Sequence, residues 1–270
     1  MNEALKRKTI ADFGEQWTSF RGNPGYYGAA ELLNDILAPL ISVESLAGLR
    51  VADIGSGTGR IVNMLLDAGV KHVIAVEPST AFFVLQENTA ARRDRITYLH
   101  DTGDRLPAGS DLDLAVSIGV LHHIPDPVPV VRAAYEALRP GGQIFVWMYG
   151  REGNETYLRL VEPLRGLTTK LPHSALMAVS SGLALLLDVY IALGRFAALP
   201  MRDYVRGVLA KQPRSVRKLI IYDQLNPAYA KYYERDEAEQ LLKSAGFEDV
   251  KTHHRHGYSW SVIGRKRSEA

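Results

Sequence analysis

Residues 51–59 read Val-Ala-Asp-Ile-Gly-Ser-Gly-Thr-Gly, a short apolar run that breaks into three glycines at alternate positions. A helical pattern begins at Arg60. A second apolar run, residues 73–76, ends on Glu77. Glycine lets a backbone turn tightly and approach a ligand closely. A carboxylate about twenty residues beyond such a loop suits the hydroxyl pair of a ribose. Together these features predict an open α/β sheet that holds a nucleoside-containing ligand at the carboxyl ends of its strands.

The loop chemistry narrows the ligand. A phosphate-binding P-loop ends in Gly-Lys followed by Ser or Thr, whereas this loop ends Gly59-Arg60-Ile61. The dinucleotide fingerprint Gly-x-Gly-x-x-Gly places its third glycine inside the helix. Here the spacing is Gly55-x-Gly57-x-Gly59, and Arg60 stands where that glycine would be. Asp53 also suits a cap on the glycine turn.

The strands read as Arg50–Ile54, Val73–Glu77, Ile96–His100, Leu112–Ile118 and Gln143–Met148, apolar enough for buried parallel strands. Helical patterns lie between them, as at Val130–Leu138. A helix over Arg235–Ala245, stopped by Gly246, precedes a hairpin of Val250–His256 and Ser259–Arg265. Four segments follow: a cover at 1–45, a ligand-binding core at 46–150, a helical insertion at 151–230, and a closing helix and hairpin at 231–270. The cover contains Phe13, Trp17, Tyr26 and Tyr27, and its aromatic content predicts order.

The alternate-glycine loop resembles motif I of the class I S-adenosylmethionine-dependent methyltransferases. Later segments are similar in the same order: Glu77-Pro78-Ser79, then residues 100–107, residues 111–124, and the turn and strand at 138–148. The resemblance implies a doubly wound, mostly parallel seven-stranded α/β sheet with an antiparallel C-terminal hairpin, and S-adenosylmethionine as cofactor. It implies cofactor contacts from Asp53, Gly55, Ser56, Gly57, Thr58, Gly59, Glu77, Pro78 and Ile118. The span from Asp101 to Leu106-Pro107 is one residue longer than usual, so the adenine contact falls on Asp101, Thr102 or Gly103.

For the acceptor, the histidines after the fourth strand, His122 and His123, are the candidate bases. Adjacent histidines do not both point the same way. A His here is similar to the phosphoethanolamine methyltransferases, where it works with a Tyr of an N-terminal cover. That implies Tyr26 or Tyr27 as partner of His122. Tyr149, Arg151, Glu152 and Asn154, in or beside the loop after the fifth strand, are candidate acceptor contacts. So are Tyr222 and Asp223, at the end of the insertion.

Composition bounds the remainder. Net charge is +2, from 32 basic and 30 acidic residues, which offers no global drive toward nucleic acid. The chain has no cysteine, which excludes disulfides and thiolate chemistry. His253, His254 and His256 lack a carboxylate at ligand spacing, so no metal is expected. The polar start, Met1 to Lys8, lacks an apolar signal core, so a cytoplasmic protein is expected.

From Leu171 to Gly194 the only formal charge is Asp188. Ser174, Ser181, Asp188 and Arg195 fall seven residues apart on one helix face, and Pro172 and Gly182 interrupt the run. The pattern predicts a buried lid helix in preference to a membrane span, with surface contact to a membrane as a second use. The expected acceptor is a small or lipid-like molecule, methylated on oxygen, nitrogen or carbon. The rivals are a nicotinamide-dependent oxidoreductase and a non-catalytic cofactor-binding or membrane-associated regulator.

Overall fold

The computed structural model describes residues 2–194, 196, 202–207 and 209–268. Its centre is one seven-stranded sheet, built from β1 (Arg50–Ile54), β2 (His72–Val76), β3 (Ile96–Leu99), β4 (Leu112–Ile118), β5 (Leu138–Tyr149), β6 (Glu248–Arg255) and β7 (Ser259–Arg265). The order is β3-β2-β1-β4-β5-β7-β6. The first five strands run parallel, while β7 is antiparallel to both β5 and β6. This is the α/β class expected from the alternating pattern. The strands are apolar on both faces because helices cover both. Val51, Ala52, Val116, Phe145 and Val146 are all wholly buried.

Helices α1 (Asn2–Ser19), α2 (Ala30–Leu37), α3 (Arg60–Asp67), α4 (Ala81–Asn88) and α5 (Val128–Ala137) belong to the first half of the chain. One apolar layer joins α2, α3 and α4 to the sheet through Leu33, Leu65 and Leu85. The other joins α5 and α10 (Arg235–Ser244) through Val131, Ala134 and Leu242. A capping box between Glu234 and Glu237 starts α10. Gly246, at φ +98°, follows its end in the left-handed conformation.

Among the described residues between 155 and 225, four helices form a cap: α6 (Glu155–Thr168), α7 (His173–Leu193), α8 (Arg202–Gly207) and α9 (Arg214–Leu225). Its own apolar centre gathers Leu158, Val161, Leu176, Tyr222 and Leu225 against Tyr149 of β5. Helix α1 joins this cap to the sheet. Gln16 Nε2 donates to Asp223 Oδ1 at 2.8 Å, and Asn226 Nδ2 donates to Asp12 O at 3.0 Å.

The expectation of a buried α7 is corrected. The helix runs unbroken through Gly182, with Pro172 just before its start. Only Leu176, Ser180 and Ala184 are buried. Asp188 turns inward to Arg214 and Arg217 of α9, at 3.1 and 2.8 Å. That contact turns the Asp188 side of the helix toward α9 and leaves Leu185, Leu186 and Leu193 facing out. Ser181 is half-buried, Ser174 is exposed, and Arg195 lies outside the described residues.

Candidate functional site

Strand order reverses between β1 and β4, and the loops leaving these two strands enclose a crevice at their carboxyl ends. Gly55 is where they meet. Its φ is +82°, and a Cβ there would lie 2.4 Å from Val120 Cγ2. Only glycine satisfies both the left-handed backbone and the close approach. The next turn brings the Gly57 amide to Glu77, which accepts it through Oε2 at 2.8 Å. Glu77 Oε1 accepts the Ser79 amide at 2.9 Å. The carboxylate therefore fastens the glycine loop to the end of β2.

A cavity of about 350 Å³ opens over this loop, within the range of small-molecule cofactor sites. Gly55, Ser56, Gly57, Thr58, Glu77 and Pro78 line one side. Thr102, Gly103, Ile118 and His123 line others. The roof is α1, through Phe13 and Trp17, together with Tyr27. Tyr27 is braced by the Arg60 guanidinium, 4.2 Å from its ring centre.

Several expected contacts stand elsewhere. Asp53 is buried beneath the loop, does not line the cavity, and is pushed up to about 7 chiefly by burial. Gly59, with φ +81°, shapes the turn from outside the cavity. Asp101 is exposed and accepts the Thr102 amide at 2.7 Å, so the third-strand segment reaches the cavity through Thr102, Gly103 and Asp104 instead. The roof residues of α1 and Asp104 were not among the residues singled out as contacts. The aromatic pair Phe13 and Trp17 was the available signal for the roof.

The adjacent histidines divide as their chain geometry requires. His123 faces the cavity, with its ring edge-on to Phe13 at 4.7 Å between centres. Its Nδ1 lies 2.9 Å from Tyr229 O. A carbonyl can only accept, so Nδ1 carries the proton and Nε2 keeps its lone pair. Burial lowers His123 to about 4, while Asp223 and the Tyr229 carbonyl oppose that shift. His123 is therefore neutral at physiological pH.

His122 is corrected as a cavity-facing base. It is wholly buried, 3.8 Å between ring centres from Tyr149, and neither ring nitrogen has a hydrogen-bond partner among the described residues. Burial holds it well below 6.5. The folded protein thus keeps it neutral, and the unfolded chain takes up a proton as pH falls through about 6.5. His122 removes stability as the solution is acidified, by up to about 1.4 kcal/mol per pH unit. Asp53 acts with the opposite sign, since a raised carboxyl loses stability as pH rises toward about 7. A His122→Phe comparison cancels the Asp53 contribution. The variant should melt higher than wild type, and the gap should widen from pH 7.5 to about pH 5. A constant gap in thermal melts would contradict this reading of His122.

A second cavity, of about 590 Å³, lies between β5 and the cap. Leu160, Leu164, Leu183, Leu187 and Tyr190 make it mostly apolar. The two cavities share Trp17, Tyr27, Arg60, Ile118, Gly119 and Asp223. Asp223 is held at this junction, with Oδ2 accepting the Tyr149 hydroxyl at 2.8 Å and Oδ1 accepting Gln16 Nε2. Gln224 Nε2 in turn donates to Tyr149 Oη at 2.7 Å.

Of the expected acceptor contacts, Tyr149, Asn154 and Asp223 line the second cavity. The Asn154 amide is already committed to Gly150 O and Tyr258 O, both at 2.7 Å. Tyr26, Arg151, Glu152 and Tyr222 line neither cavity. Arg151 is exposed. Glu152 accepts the Arg235 amide and Trp260 Nε1, and Tyr222 is buried against His173. Tyr26 is half-buried, with Lys211 Nζ 5.5 Å from its ring centre. In the hairpin, His254 stacks on Trp260 and His256 bonds Asp35.

The chain is similar to known proteins in sequence and in fold. Residues 52–146 match the sequence profile of a methyltransferase domain. A ubiquinone biosynthesis O-methyltransferase of Aromatoleum aromaticum is 33% identical over 103 residues, 37% of this chain and 44% of that protein. A tRNA U34 carboxymethyltransferase of Idiomarina loihiensis is 28% identical over 119 residues, 42% of this chain and 37% of that protein. The chain thus spans less than half the length of these curated relatives. Among solved structures, the magnesium protoporphyrin IX methyltransferase of Synechocystis PCC 6803 has a TM-score of 0.58 at 14% identity, covering 99% of this chain and 100% of that one. The phosphoethanolamine N-methyltransferase 2 of Haemonchus contortus has a TM-score of 0.55 at 15% identity, covering 99% of this chain and 60% of that one. At these identities the structural likeness speaks to the fold.

Proposed function

We propose that the protein, whose residues 52–146 match a methyltransferase domain, is an S-adenosylmethionine-dependent methyltransferase acting on a hydroxyl of an amphipathic acceptor. The observation that carries this reading is the junction of two unlike cavities. One is shaped by the glycine loop and Glu77; the other is apolar and lies under the cap. Glu77, with Gly55 and Gly57 beside it, would hold the nucleoside part of the cofactor. When bound, the cofactor supplies an already activated methyl group, so the protein mainly orients donor and acceptor.

A hydroxyl acceptor must lose its proton as its oxygen bonds to the methyl carbon. His123 is suited to take that proton, being neutral with a free Nε2 lone pair. Asp223, whose charge favours protonated His123, stabilises the imidazolium that results. The Tyr149 hydroxyl and Gln16 fix the Asp223 carboxylate in place. Trp17, which lines both cavities, roofs the junction, and Phe13 packs edge-on against His123 beside it.

Incubation with methyl-labelled cofactor and a panel of acceptors tests the proposal. Label should enter a long-tailed phenol as an ether, in preference to a short-tailed phenol or an amine of the same tail. Label entering tRNA, or entering short and long acceptors equally, would contradict it.

A further inference from the structure

We infer that the outer face of the cap docks on an anionic lipid bilayer, from which the acceptor enters the second cavity. The inference rests on the proposed acceptor role of that cavity. Among the described residues, ten of the eleven large apolar side chains that are exposed lie between Leu160 and Phe196. The most exposed are Phe196 at 91%, Leu160 at 73%, Leu167 at 67% and Leu186 at 65%. Val179, Leu186, Val189 and Leu193 recur at helical spacing and form one outward stripe along α7. An apolar concentration of this kind marks an interaction surface.

Charge selects the partner. Residues 159–218 contain ten Lys or Arg against three Asp or Glu, a net +7 in a chain whose total is +2. The remainder of the chain is therefore net −5. Arg159, Lys170, Arg206 and Lys211 are exposed. A helix that pairs leucines with surrounding basic residues lies in the headgroup region of an anionic leaflet. Nucleic acid would engage the charges and leave the leucines in water. α7 has the length and composition to cross a membrane, but its Asp188 side is occupied by Arg214 and Arg217. That pairing keeps α7 on α9 and favours lying flat.

The surface is also continuous with the cavity. Leu160 and Leu164 are exposed and line it. A lipid-like acceptor could therefore pass from the leaflet to the junction at Asp223 without its tail crossing water.

Vesicle flotation of the full chain tests this. Vesicles mixing phosphatidylcholine with phosphatidylglycerol should carry the protein upward. Neutral phosphatidylcholine vesicles, or high salt, should weaken binding by at least about tenfold. Replacing Leu185, Leu186 and Val189 with serine should abolish flotation, and Leu186→Ser alone should weaken it. None of the three lines either of these two cavities, so S-adenosylhomocysteine affinity should be unchanged and reports correct folding. Absence of flotation, or flotation indifferent to the serines, overturns the inference. So does tRNA binding that the serine variants retain, or a concentration-dependent dimer that they abolish. Loss of S-adenosylhomocysteine binding by the wild type would instead refute the proposed function.

Discussion

Glu77→Ala should weaken S-adenosylhomocysteine binding by at least about tenfold, because a buried hydrogen-bonded charge of this kind contributes on the order of 1.5–3 kcal/mol. Two losses combine. In the proposed complex the ribose loses its acceptor. The Gly57 amide, which Glu77 holds at 2.8 Å, also loses its anchor. Glu77→Gln separates them, since an amide oxygen can still accept from Gly57 but carries no charge. The glutamine variant should fall between wild type and alanine in calorimetric titration. Unchanged affinity in the alanine variant would remove Glu77 from the site.

His123→Ala should lower kcat by about 10²–10⁴, the usual contribution of a positioned acid or base. Cofactor affinity should fall far less than turnover, because His123 shares the first cavity with Glu77 but its ring bonds Tyr229 O and takes no part in holding the glycine loop. His122→Phe should retain activity, because His122 reaches neither cavity. Single-turnover rates and binding constants measured on both variants check this pair. A His122 variant that loses turnover while His123→Ala keeps it would reverse the assignment.

The sheet was legible because buried parallel strands are short, apolar and bounded by glycine or polar residues. The first and fourth strands fall on the expected residues, Arg50–Ile54 and Leu112–Ile118. The fifth begins earlier than expected, at Leu138, because Leu112 pairs with Leu138 before a bulge restores the register at Leu114 and Gln143. A bulge leaves no periodic mark in the chain. Helix α1 was not legible in the sequence. It has no clean apolar stripe, and its anchors, Asp223 and Asn226, lie more than 200 residues away.

The site was legible where chemistry is local. The glycine loop and Glu77 belong to one strand-turn-helix unit and its neighbour, so their spacing reveals them. The orientation of two adjacent histidines depends on what packs around them, here Tyr149 against His122 and Tyr229 O against His123. Burial of α7 was misjudged for a related reason. Composition reports that a helix is apolar, but only its partner shows which face is covered, and α9 meets the Asp188 side.

The central claim is that the glycine loop and Glu77 form a site for S-adenosylmethionine. Calorimetric titration of the full chain with S-adenosylhomocysteine, with NAD in parallel, tests it most directly. Micromolar binding of the first and none of the second is the expected result. Binding of NAD alone, or of neither, would contradict it.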